Sequence, residues 1–129
     1  MSRVLVIDDE AVVGTILRYA FAEEGHQIIV ADGGASGIQM ARDEHPDAIV
    51  LDLMMPKVTG HDVLVNLRDD AAMKDVPILV LTAVAMSRER ARCLSEGADA
   101  VMTKPFDPRD VAKAVDALLS SEAAGSQST

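Results

Sequence analysis

Short apolar runs punctuate this chain: VLVI at Val4–Ile7, IIVA at Ile28–Ala31, AIVL at Ala48–Leu51 and ILVL at Ile78–Leu81. A weaker fifth, AVMT, stands at Ala100–Thr103. Runs that are apolar throughout lack the alternation of a strand with one wet face. They suit parallel strands covered on both faces. Segments of helical period separate them, so the chain reads as strand then helix, five times over. That order implies a parallel sheet with helices on both sides.

The intervening helices have legible faces and ends. Glu10–Glu24 carries Val13, Ile16, Leu17, Ala20 and Phe21 on one stripe, and Gly25 is placed to end it. Gly34–Glu44 is a second helix, stopped before Pro46. Val63, Leu64 and Leu67 mark a third after Gly60, and Ser87–Glu96 is a fourth, closed by Gly97. The fifth begins with Asp107 as N-cap, Pro108 at the first helical position and Asp110 in the first turn. Val111, Val115, Leu118 and Leu119 form its buried stripe. Residues 1–120 are expected to make one domain, and the small polar residues 121–129 a flexible tail or the start of a linker.

Composition excludes several functions. A length of 129 residues allows one domain with a real core, and an apolar share of 49% argues against global disorder. Twelve basic against twenty-one acidic residues give a net charge of −9, which disfavours direct nucleic-acid binding and attraction to anionic membranes. Aromatic residues, at 2%, are too few for single-strand stacking platforms. No apolar run is long enough to span a membrane, and no basic-then-apolar leader opens the sequence. A single cysteine, Cys93, precludes an internal disulfide and fits a reducing cytosol, so a cytoplasmic location is expected.

Chemistry gathers where the strands end. In an open α/β sheet, ligands bind beyond the carboxyl ends of the strands. The first strand runs into Asp8, Asp9 and Glu10; the third ends at Asp52; the fourth at Thr82; and the fifth at Thr103, with Lys104 and Pro105 next. Parallel strands would bring these ends to one edge. Crowded carboxylates are unfavourable unless a positive charge sits among them. Several carboxylate oxygens make a hard-cation site, and Mg²⁺ suits one that offers few protein ligands. A metal ion, a lysine and a hydroxyl are also what a transferring phosphoryl group requires. A carboxylate can itself be the nucleophile and form an aspartyl phosphate.

The segments VLVIDDE, IVLDLMMPKVTG, ILVLTA and VMTKPF, spanning Val4 to Phe106, together resemble the receiver domain of two-component response regulators. The likeness is to stand-alone, chemotaxis-type regulators as much as to the receiver half of a longer protein. It implies a (βα)5 flavodoxin-like three-layer sandwich with strand order 2-1-3-4-5. It also implies that Asp52 accepts a phosphoryl group from a sensor histidine kinase or a phosphotransfer protein. Asp8, Asp9, Asp52 and the Met54 backbone carbonyl would hold Mg²⁺. Lys104 would pair with the acids and then with phosphate. The Thr82 hydroxyl and the Ala83 backbone N–H would hold phosphoryl oxygens, and the Lys104–Pro105 peptide would be cis. The output would be an unidentified protein met through the face formed by helix four, strand five and helix five.

One position departs from that family. Where an aromatic residue commonly stands on the fifth strand, this chain has Val101, which puts the aromatic half of a threonine–aromatic coupling in doubt. Met54 and Val84 would border the phosphorylation site, and their apolar side chains predict slow to moderate self-dephosphorylation. DGGASG at Asp32–Gly37 lacks the spacing of a phosphate-binding loop and reads as a turn into the second helix. Arg88, Arg90 and Arg92 oppose the macrodipole of the fourth helix and read as a solvated face. His26, His45 and His61 lack metal-ligand spacing and read as surface residues, and Cys93 as packed and non-catalytic.

Such a module would act by partner contact and not as an enzyme on an outside substrate. A phosphohydrolase of the haloacid-dehalogenase-like type would want Asp-x-Asp at the first strand, where this chain has Asp-Asp-Glu. A flavin carrier would want a Ser/Thr-rich loop there. A phosphorylation-independent scaffold would not need the full set of acids, threonine and lysine.

Overall fold

The computed structural model describes residues 2–83 and 86–128, with side chains through Ser121. The strands are β1 (Arg3–Ile7), β2 (Gln27–Ala31), β3 (Ala48–Asp52), β4 (Ile78–Thr82) and β5 (Ala100–Thr103). The helices are α1 (Ala11–Glu23), α2 (Gly34–Glu44), α3 (Gly60–Asp69), α4 (Ser87–Ser95) and α5 (Pro108–Ser128). All pairings are parallel, in the order β2-β1-β3-β4-β5. This is the flavodoxin-like (βα)5 fold that the alternating runs imply. α5 continues as helix through the segment read as a tail or linker start.

Alternation along each strand sorts its side chains into two cores. Leu5, Ile7, Ile49, Leu51, Ile78 and Val80 pack with Val63, Leu64 and Leu67 of α3 and Cys93 of α4. Val4, Val6, Val50, Leu79 and Leu81 pack with Val13, Leu17 and Phe21 of α1 and with Val111 and Val115 of α5. Each such fully buried aliphatic side chain contributes about 1.5–3 kcal/mol, an upper bound because the unfolded chain already hides some surface. Ile16, expected in the α1 stripe, is 41% exposed, because the buried face of α1 is turned toward Gly14, which abuts Val30, and leaves Ile16 beyond its opposite edge. Gly25 ends α1 with a left-handed φ of 81°.

Caps appear where the sequence provides them and where it was harder to read. Asp107 Oδ1 accepts the Arg109 N–H at 2.9 Å, as the Asp-Pro start predicts. α3 opens with a reciprocal box: Thr59 Oγ1 accepts the Asp62 N–H at 3.2 Å, and Asp62 Oδ2 accepts the Thr59 N–H at 3.0 Å. α4 has no side-chain cap at Met86. Among the described residues no helix is long and apolar enough to cross a membrane.

Candidate functional site

The strand order reverses direction between β1 and β3, which opens a crevice at their carboxyl ends. Asp8 follows β1 directly, and its backbone N–H still donates to the Ala31 carbonyl of β2 at 3.1 Å. Asp52 is the last residue of β3 and Thr82 the last of β4. Asp8 and Asp52 are each 2% exposed and Thr82 is fully buried, so the strands carry their polar ends down into the protein. Asp9 and Ala83 lie at the exposed rim.

Lys104 reaches this crevice from the end of β5. Its backbone N–H donates to the Thr82 carbonyl at 2.8 Å, which fixes the stem, and the Lys104–Pro105 peptide is cis, as the family resemblance implies. Lys104 Nζ donates to Asp52 Oδ1 at 3.2 Å and lies 3.7 Å from Asp8 Oδ2. Asp8 Oδ1 accepts the Glu10 N–H at 2.9 Å, and Asp52 Oδ1 accepts the Met54 N–H at 3.2 Å. The other oxygen of each acid, Oδ2, is buried with no hydrogen-bond partner among the described residues.

Burial is the main cause that pushes the Asp8 and Asp52 carboxyls above the usual carboxylate range. The N–H groups of Glu10 and Met54 and the Lys104 ammonium oppose that rise, and neighbouring carboxylates add to it. Desolvation alone would lower the Lys104 ammonium, but Asp52 and Asp8 outweigh it and hold the group above its usual value. Asp8 and Asp52 therefore share one lysine while Asp9 repels both, a local excess of negative charge.

Two buried acid oxygens without hydrogen bonds from the described residues, beside an exposed third acid, are the donor set of a hard divalent cation. The ligand atoms of Asp8, Asp9 and Glu10 lie within 4.8 Å of one another. In the sequence Glu10 is one of three acids in a row; in the structure its backbone N–H holds Asp8 in place.

The loop after Asp52 is shaped by residues whose sequence signal is weaker. Pro56 precedes Lys57 at a left-handed φ of 65°, the residue order of a type II turn. The chain then folds back so that the Gly60 N–H donates to the Leu53 carbonyl at 3.0 Å. A Cβ on Gly60 would stand 2.5 Å from Leu53 Cα and 2.6 Å from the Asp52 carbonyl oxygen, so only glycine fits there. Met54 is 64% exposed beside Asp52, and Val84 lies outside the described residues. Val101 is buried on β5, with no aromatic ring at that position.

Two of the three histidines are not the surface residues their spacing suggested. His26 Nε2 lies 3.0 Å from Asp116 Oδ1, and the His26 side chain is 9% exposed. His61 is wedged between Glu89 and Glu96. Both contacts cross between distant elements, so no local spacing announces them.

A family model described as the response regulator receiver domain matches residues 4–116. PhoP of Bacillus subtilis, an alkaline phosphatase synthesis transcriptional regulatory protein, is 42% identical over 91% of this chain and 48% of its own length. RpaA of Synechocystis, a DNA-binding dual master transcriptional regulator, is 37% identical over 92% of this chain and 49% of its own. The chain thus spans about half the length of these curated relatives. The receiver domain of Francisella response regulator 1452 superposes with a TM-score of 0.87 at 28% identity, covering 93% of this chain and 98% of that one. Vibrio cholerae chemotaxis protein CheY4 superposes with a TM-score of 0.85 at 25% identity, covering 92% and 98%.

Proposed function

The chain belongs to the response regulator receiver domain family, and we propose that Asp52 is its phosphoryl acceptor. The observation that carries this reading is the Asp52 carboxylate itself. One oxygen is held by the Met54 N–H and the Lys104 ammonium, and the other is buried without a partner among the described residues. A carboxylate held through one oxygen, with the other free of hydrogen bonds, is oriented to attack.

In the proposed reaction an Asp52 oxygen forms the new P–O bond while the P–N bond of a donor phosphohistidine breaks. The imidazole leaves with its electron pair. Asp8, Asp9, Asp52 and the Met54 carbonyl would hold Mg²⁺, which when bound offsets the charge of acceptor and phosphoryl oxygens. Lys104 already faces Asp52 and would follow the charge onto the phosphoryl group. Thr82 and Ala83 end the neighbouring strand, and their hydroxyl and N–H would take its other oxygens.

Phosphorylation adds about −1.5 to −2 charge and three acceptor oxygens. The module would then work by contact, through α4, β5 and α5, and not on an outside substrate. Its donors would be a histidine kinase or a phosphotransfer protein. Its acidic balance favours a protein partner over direct contact with nucleic acid at this domain.

Intact-mass spectrometry after incubation with Mg²⁺ and acetyl phosphate tests this. One Mg²⁺-dependent phosphoryl adduct, lost in Asp52→Asn, is expected. No adduct while a control receiver is labelled would overturn the proposal and favour a phosphorylation-independent scaffold.

A further inference from the structure

On the side of the sheet covered by α3 and α4, a second group of metal-ligating side chains comes together. Glu89 and Cys93 are four residues apart on α4 and so share one face of that helix. His61, in the first turn of α3, meets them from across the groove. One ligand atom from each of the three lies within 4.8 Å of the others.

We propose that His61, Glu89 and Cys93 form a binding site for a borderline-soft divalent transition ion of the Zn²⁺ class. Imidazole, carboxylate and thiolate together are a donor set for such an ion and not for Mg²⁺ or Ca²⁺, which take oxygen ligands. Zn²⁺ bonds of about 2.0–2.3 Å place tetrahedral ligand atoms roughly 3.5 Å apart, so the His61–Glu89 contact would open by about 1 Å while the wider spacings draw in.

The surroundings are built as a metal site requires. His61 Nε2 lies 2.5 Å from Glu89 Oε1, so the ring nitrogen and the carboxylate already converge on one point. His61 Nδ1 faces Glu96, which Arg92 Nε approaches at 3.4 Å. A carboxylate on the second imidazole nitrogen fixes the tautomer and raises the basicity of the first, the usual arrangement behind a metal-bound histidine. Cys93 is fully buried, which shields the sulfur from bulk solvent. An open groove of about 460 Å³, lined in part by His61, Asn66, Arg92 and Glu96, borders the Glu96 side of the imidazole.

Burial, with Glu89 and Glu96 behind it, pushes the Cys93 thiol above its usual range, so the metal-free thiol is protonated at neutral pH. Ion binding therefore forms a metal–sulfur bond as the S–H proton is released to solvent, and the affinity rises with pH. Two acids beside His61 supply the charge that the dication offsets. The bound ion would pin α4 to the start of α3.

The test is a Co²⁺ titration of the full chain after chelator treatment. A thiolate-to-cobalt charge-transfer band in the near ultraviolet, with visible bands of four-coordinate intensity, is expected. It should vanish in Cys93→Ser and in His61→Ala and persist in Asp52→Asn. Zn²⁺ should displace Co²⁺ and raise the melting temperature. Glu96→Gln should weaken Zn²⁺, read by competition with a chromogenic chelator, by about 10–100-fold. No charge-transfer band in the unaltered chain would overturn the proposal. So would a band that survives His61→Ala, since it would mark the thiol acting alone, or one lost in Asp52→Asn, since the ion would then sit among the strand-end carboxylates. The His61 side chain is 14% exposed and lies outside the two hydrophobic clusters, so His61→Ala spares the core if Cys93→Ser fails to fold.

Discussion

Lys104 Nζ lies 3.2 Å from one oxygen of Asp52 and leaves the other oxygen of that carboxylate buried without a partner among the described residues. The lysine thus balances only part of the charge at the strand ends. Lys104→Met should remove that balance and destabilise the metal-free protein. Lys104 is 23% exposed, so water screens part of the loss. The cost should be about 1–2 kcal/mol, below that of breaking a fully buried pair. Urea unfolding in chelator measures it, with Lys104→Arg as the charge-preserving comparison. Equal stability of all three chains would mean that the pair contributes nothing.

The raised carboxyls of Asp8 and Asp52 predict an unusual pH dependence. Burial holds them above the range in which an unfolded chain ionises. Between those two ranges the folded protein holds more protons than the unfolded one. Stability from these groups is therefore complete below the usual carboxylate range and lost as pH rises through their raised values. Asp8→Asn keeps an oxygen for the Glu10 N–H and removes a buried charge. It should stabilise the metal-free chain at neutral pH by roughly 1 kcal/mol and flatten the pH slope. Mg²⁺ should raise the melting temperature of the parent chain more than that of the variant. A variant less stable than its parent at neutral pH in chelator would contradict this assignment.

The fold was legible because its signals are local. Apolar four-residue runs, Gly25 and Gly97 at helix ends, and Asp107-Pro108 each declare their structure within a few residues. The strand-end acids were legible for a different reason, since parallel topology carries Asp8, Asp52 and Lys104 to one edge whatever the loops do. What stayed hidden depends on distant packing. His61 meets Glu89 and Glu96 only because α3 lies beside α4. Arg68 ties Met73 and Lys74 of the α3–β4 connection to Gly97 and Asp99 of the α4–β5 connection, a role its α3 sequence does not announce. Ile16 keeps the helical period yet stays outside, because the buried face of α1 is turned toward Gly14 on the opposite edge of the stripe.

Gly60 gives a test of how tightly the loop holds Asp52. A methyl group there meets backbone atoms of Leu53 and Asp52, which cannot rotate away. Gly60→Ala should cost about 1–3 kcal/mol, as overpacking does. It should also slow phosphorylation of Asp52 by acetyl phosphate, because the strained contact is with that residue's own carbonyl. A control such as Gly33→Ala, where the nearest atom to a new Cβ is 4.0 Å away, should change neither. Normal phosphorylation in Gly60→Ala would show that the loop relaxes without moving the acceptor.

Met54 sits two residues beyond Asp52, largely exposed, while its N–H holds the acceptor. Its thioether can neither orient a water molecule nor take a proton from one. A carboxylate or amide in its place could do one or both, and positioned proton transfer is worth about 10²–10⁴-fold at best. An exposed, unsupported side chain should reach only the low end. Met54→Glu and Met54→Asn should therefore shorten the lifetime of the phosphorylated protein by about tenfold. The backbone contact to Asp52 is retained, so the rate of phosphorylation should change less than the rate of hydrolysis. The decay of the intact-mass adduct after removal of acetyl phosphate measures the lifetime directly. An unchanged lifetime in both variants would mean that the attacking water approaches from another side of the crevice.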